Sequence, residues 1–117
     1  MNKKAILERY LIEIRGKVFV QYAGLVELAH LMGLQSIETE LIKLNPETGL
    51  AIFKATAKAN THKNGIVTFT GYGDASPKNV SNLVKQHLIR VAETRAKARA
   101  LRDMVGCPYT AAEELGG

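Results

Sequence analysis

The sequence predicts an α+β domain. Its centre is an antiparallel β-meander packed on a long C-terminal helix, a β-β-β-α core, with short helices ahead of it. Three observations carry this. Three strand-like runs, 35–44, 50–60 and 66–72, are separated only by the turns "NPETG" and "THKNG". Loops that short permit antiparallel pairing and no crossover. The segment 78–105 then repeats apolar residues at helical spacing to the end of "TRAKARALRDMVG".

The elements follow in order. Residues 3–15 read as a helix, because Ile6, Leu7, Tyr10, Leu11 and Ile14 recur at i, i+3 and i+4, with Gly16 as a stop. "KVFVQY", 17–22, reads as a short strand. "GLVELAHLMG", 24–33, reads as a second short helix that ends at Gly33. In the middle strand of the meander, Phe53, Ala55, Ala57 and Ala59 alternate with Lys54, Thr56 and Lys58. Small residues on one face admit a helix at close range, and the opposite face meets water or a polar ligand. "GYGDASPKNV" reads as a loose link, with Ser76 as a cap and Pro77 in the first helical turn. The last helix is expected over 78–105, with Val80, Val84, Leu88, Val91, Ala98, Leu101 and Val105 as its core line.

At 117 residues the chain fits one domain, 1–117, large enough to bury about two-thirds of its unfolded surface. No apolar run approaches the roughly 20 residues of a membrane span. Glu8 and Glu13 interrupt the N-terminal apolar stretch, unlike a secretory leader. The single cysteine, Cys107, leaves no internal disulfide. A reducing, cytoplasmic setting is therefore expected.

The chemistry of catalysis is missing from the sequence. Walker, G-x-S-x-G, H-E-x-x-H and C-x-x-C motifs do not occur. "GYGDAS" has neither the spacing nor the preceding context of a dinucleotide loop. His30, His62 and His87 are scattered, Cys107 has no ligand at metal spacing, and Asp74 reads as a turn or cap acid. No catalytic residue, cofactor or metal is expected, and a binding protein is expected rather than an enzyme.

The charge is more informative. The chain carries a formal +5. Between Lys78 and Asp103, seven basic residues face two acids, Glu93 and Asp103, so this segment alone holds +5 and the remainder balances. On a helical wheel Lys85, Arg95, Arg99 and Arg102 flank the apolar stripe, and no acid within the helix interrupts them. A solvated face with its stems lying along the core would give a similar pattern, and Glu93–Lys97 is an ordinary i, i+4 pair. The one-sided stripe, together with Lys54, Lys58 and the turn residue Lys63, points instead to a polyanion-binding surface. Tyr72 is the best candidate for base stacking, a minor contribution in a chain with three Phe and four Tyr.

These residues resemble a family. Gly71-Tyr72-Gly73 at the end of the last strand, then Thr94, Arg99-Ala100-Leu101-Arg102 and Gly106 late in the helix, are similar to the motifs of the single-strand annealing proteins of recombination, the Rad fifty-two superfamily with its bacterial and phage members. The resemblance extends over roughly residues 5–115. It implies ATP-independent binding and annealing of single-stranded DNA in recombination and repair, by a homo-oligomeric ring with a basic groove. It also implies phosphate contacts from Arg99 and Arg102; Ala98 stands where the family pattern has a basic residue, and Arg95, Lys97 and the strand lysines are expected to compensate. A recombinase or a single-strand binding protein is implied as a further partner. Two other classes fit the same basic surface: an oligomeric scaffold or interaction module for an acidic protein, and a double-stranded RNA binding module.

Overall fold

The computed structural model describes residues 2–116, apart from the side chains of Leu83 and Val84. The chain folds as α1 (Lys3–Arg9), β1 (Leu11–Ile14), β2 (Lys17–Val20), α2 (Tyr22–Leu31), β3 (Leu34–Leu44), β4 (Ala51–Thr61), β5 (Gly65–Ala75) and α3 (Leu88–Val105). A 3-10 turn, Asn82–His87, leads into α3, and a second, Ala112–Leu115, follows it. The architecture is α+β, with the antiparallel sheet β3-β4-β5 packed on the C-terminal helix and a separate hairpin, β1-β2, near the N-terminus.

The predicted helix over 3–15 is corrected. Asn2 caps α1 by accepting from the Ala5 N–H at 2.7 Å, but the helix ends at Arg9. Beyond it, "LIEI" and "KVFV" pair as a hairpin, with Leu11 opposite Val20 and Ile14 opposite Lys17. Both runs are rich in β-branched residues. The Arg15-Gly16 tip takes positive φ at both positions, 51° and 80°, as a two-residue hairpin turn requires. Leu11 and Ile14 satisfy helical spacing as well, and that coincidence misled the pattern.

The meander follows the alternation. Phe53 is 7 % exposed and Ala55, Ala57 and Ala59 are fully buried beneath the helix layer, so Lys54, Thr56 and Lys58 face away. The turns also follow their residues. Asn45 Oδ1 accepts from the Glu47 and Thr48 N–H groups, and Thr61 Oγ1 accepts from the Asn64 N–H. β5 is longer than predicted and runs through Ala75, so "GYGDA" is strand rather than a loose link.

Those glycines have a packing reason. A Cβ built on Gly71 would lie 2.5 Å from the Ala100 nitrogen, and one on Gly73 would collide with the Ala92 and Ala96 backbone. The α3 backbone therefore rests directly on β5. Ala92, Ala96 and Ala100, spaced by four and fully buried, form the ridge that permits this approach. The expected core line contained Ala98, Leu101 and Val105, which are buried, and missed the three alanines. Leu88 and Val91 lie at the rim of the core, and the Val84 side chain lies outside the described residues.

The predicted 78–105 helix begins ten residues late, at Leu88. "NVSN" holds Asn, Ser and a β-branched residue, which favour turns over helix. The Asn79 N–H donates to the Ser76 carbonyl, and the Ser76 N–H donates to Asn79 Oδ1. Gly106, at φ 67°, closes the far end. The largest fully buried side chains are Ile6, Val20, Leu25, Leu28, Leu101 and Val105, where α1, α2 and β2 meet α3. The molecule is flat, 46 × 33 × 15 Å, with helices on one face of the sheet and the other face open.

Candidate nucleic-acid interface

The basic residues of the C-terminal half separate into three environments. The first is buried. Arg95 is 5 % exposed, and its guanidinium donates five hydrogen bonds. Nε reaches the Glu114 carbonyl at 2.7 Å, Nη1 the Asp74 carbonyl at 2.8 Å and Asn79 Oδ1 at 2.9 Å. Nη2 reaches the Asn79 carbonyl at 2.8 Å and the Leu115 carbonyl at 3.4 Å. Burial, and then the Arg99 charge, lower its pKa from the ordinary guanidinium value, but an arginine stays protonated. Arg95 joins β5, the Asn79 loop and the C-terminal tail. With its donors occupied in this way it is a structural pin, and the expectation of a phosphate contact is corrected.

The second environment is clamped. Arg99 Nε donates to Glu114 Oε1 at 3.1 Å, and Nη1 to the Tyr72 carbonyl at 2.9 Å, with Asp74 Oδ1 at 3.6 Å. Arg102 Nη1 lies 3.7 Å from Glu114 Oε2, and its Nε is buried without a hydrogen-bond partner. Glu114 itself is 7 % exposed and also accepts from the Ala111 N–H at 2.8 Å. The sequence pattern placed no acid in the basic stripe. The fold inserts one from the tail, 12 and 15 positions beyond the arginines it meets. Arg99 keeps 40 % of its side chain exposed and Arg102 keeps 26 %, so part of each still faces solvent.

The third environment is open. Lys85 lies in the 3-10 turn rather than on α3, so the helical wheel that grouped it with Arg95 does not apply. It lines a surface groove between the β3–β4 turn and the entry to α3, together with His87 and Arg90. Leu44, Leu88 and Ile89 supply its apolar lining, and Glu93, which accepts a hydrogen bond from Thr39, adds a carboxylate to it. Lys85, His87 and Arg90 are exposed, and none makes an ion pair among the described residues. His87 and Arg90 were not singled out from the sequence, although Arg90 belongs to the charge run that drew attention to this segment.

Lys97 stands apart, with Nζ 5.9 Å from the centre of the Tyr22 ring in α2. Lys63 and its neighbour His62 are exposed in the β4–β5 turn. On the open sheet face, cross-strand rows run Ser36–Lys58–Thr68, Glu38–Thr56–Thr70 and Glu40–Lys54–Tyr72. Tyr72 is 55 % exposed there, available as a flat surface. The lysine face expected from β4 is balanced by its neighbours. Lys43, Lys54 and Lys58 share it with Glu38, Glu40 and Asp74, so its formal charge is zero. One strand read alone could not show this.

Among the described residues, no group of three or more His, Cys, Asp or Glu side chains comes together, and no helix is long and apolar enough to cross a membrane. No family model matches the chain, and no curated protein matches it.

Proposed function

We propose that this protein binds single-stranded DNA through its phosphates and anneals complementary strands without ATP, working as a homo-oligomer. The observation that supports this most is the open groove with Lys85, His87 and Arg90 exposed and without ion pairs among the described residues, set beside apolar Leu88 and Ile89, with Glu93 as the acid in its lining. Cations without internal partners have no ion pair to break when a phosphate arrives, and each contact releases counterions from the strand. Phosphate contacts carry no sequence information, so any strand is accepted and its bases stay free to pair. Arg99 and Arg102 contribute through their exposed portions, in competition with Glu114. Tyr72 offers a stacking surface on a separate, electrically neutral face.

The test is fluorescence anisotropy with a labelled oligonucleotide across a salt series. Lys85→Ala combined with Arg90→Ala is expected to lower affinity for single strands and to reduce the salt slope by about 1.4, or ~0.7 per contact. Duplex DNA and duplex RNA are measured alongside. Unchanged single-strand binding in the double variant, or a preference for duplex RNA, overturns the reading.

A further inference from the structure

The N-terminal hairpin and the C-terminal tail enclose a hollow that shares no residue with the groove described above. It is lined by Ile14, Arg15, Lys17, Phe19, Ala112 and Leu115. The hairpin register explains this lining. Ile14 pairs with Lys17 and Ile12 with Phe19, so these side chains share one face, while Glu13, Val18 and Val20 share the other. Arg15 holds φ 51° at the tip, a position that usually goes to Asn, Asp or Gly, so a long cation is presented there at some conformational cost.

The acids of the hairpin and the tail are turned elsewhere. Glu13 lies on the opposite hairpin face. Glu113 Oε1 accepts from the Tyr22 N–H at 2.8 Å, and Glu114 is held by Arg99, Arg102 and the Ala111 N–H. Arg15 and Lys17 are exposed and make no ion pair among the described residues. Beside them lies apolar surface, with Leu115 40 % exposed. The lining thus asks for negative charge and apolar side chains in one ligand.

A strand edge opens beside the hollow. β2 pairs with β1 along one edge. On the other, the Val20 N–H donates to the Thr110 carbonyl at 3.0 Å, and Val20 and Ala111 form an isolated bridge. Strand alternation turns the Val18 N–H and carbonyl to the same side as those of Val20. Neither has a backbone partner there among the described residues. Lys17 and Phe19, which flank Val18, both line the hollow. An open strand edge pairs with another peptide backbone, which a lipid headgroup or a phosphodiester does not supply.

We propose that this hollow docks an extended acidic segment of a partner protein, one that carries large apolar side chains among its carboxylates. Its backbone pairs with Val18, its carboxylates meet Arg15 and Lys17, and an apolar side chain enters between Ile14, Phe19 and Leu115. The charge of the lining selects the acids, and the strand edge selects a peptide. The inference is independent of the nucleic-acid reading, because the two surfaces have no residue in common.

The probe is a set of short labelled peptides made of Asp, Glu, Leu, Ile and Phe. Counterparts carry Lys in place of the acids or Ser in place of the apolar residues. Fluorescence anisotropy is expected to show the wild type binding acidic apolar peptides at least tenfold more tightly than either counterpart. Arg15→Glu with Lys17→Glu is expected to lose the acidic peptides by at least tenfold and to gain the Lys counterparts. That exchange also shows that the reversed chain is folded. Leu115→Ser is expected to weaken the acidic apolar peptides without favouring the Lys counterparts. Lys85→Ala with Arg90→Ala is expected to leave peptide binding at the wild-type level, which separates this surface from the groove. No bound peptide, equal binding of the Lys counterparts, or unchanged binding by the reversed chain overturns the proposal. Competition by a single-stranded oligonucleotide also overturns it, since the hollow would then belong to the nucleic-acid surface. Phosphatidylserine vesicles that bind the wild type and not the reversed chain, while no peptide binds, would assign the hollow to a membrane. Self-association lost in the reversed chain, read by sedimentation velocity, would assign it to a second copy. Either result contradicts the proposal.

Discussion

At the scale of residues, three arginines of one helix have three different fates. Their neighbours, rather than their spacing, decide which. Arg95 is enclosed by carbonyls, so truncating it leaves the Glu114, Asp74, Asn79 and Leu115 carbonyls short of a donor. Arg95→Ala is expected to destabilise the fold by about 3 kcal/mol, read from the shift of the urea midpoint. An unchanged midpoint would contradict the structural assignment. Glu114 sits where a phosphate would have to compete. Glu114→Gln keeps the shape of the side chain and removes its charge, freeing Arg99 and Arg102. Single-strand affinity is expected to rise, with a salt slope steeper by ~0.7 for each arginine freed. Anisotropy that shows equal affinity and equal slope would mean that the two arginines do not reach the strand.

Elements were legible where one local rule acted alone. The meander has strict alternation in β4, an Asn-Gly turn and short loops, and its strands and buried face followed from them. The N-terminal hairpin was not legible, because "LIEI" satisfies helical and extended patterns together and an Arg-Gly tip is an uncommon turn signal. The start of α3 was misplaced because apolar spacing continues through "NVSNLV" while the local propensities oppose a helix. The glycines of "GYG" read as part of a loose link, and their packing reason became visible only with α3 lying on them. This contact makes a sharp prediction. Gly73→Ala adds a methyl group where the helix backbone already lies, and is expected to cost about 3 kcal/mol or to displace α3. Ala57→Leu, on the same buried face, is expected to cost roughly 1–3 kcal/mol. Thermal denaturation followed by circular dichroism measures both, and a wild-type melting temperature in either variant would refute direct helix-on-sheet packing at that point.

At the scale of the whole molecule, the sequence located the charge in the right segment and misjudged which members of it are available. Long-range partners account for the difference. Glu114 and the carbonyls of β5 reach the arginines only after folding, and Glu38 and Glu40 come onto the same face as the β4 lysines only when the strands pair. What remains open is the Lys85–His87–Arg90 groove on a slab about 15 Å thick. One such groove spans few nucleotides, and a track long enough to hold a strand comes from repeating it through assembly, with avidity from simultaneous engagement. The central claim is annealing, and the most direct measurement is the rate at which two complementary labelled strands pair, followed by energy transfer at physiological salt without ATP. The account predicts that the wild type accelerates pairing well above the protein-free rate, and that Lys85→Ala with Arg90→Ala abolishes most of the gain. Strands that pair no faster with the protein than without it would contradict the account.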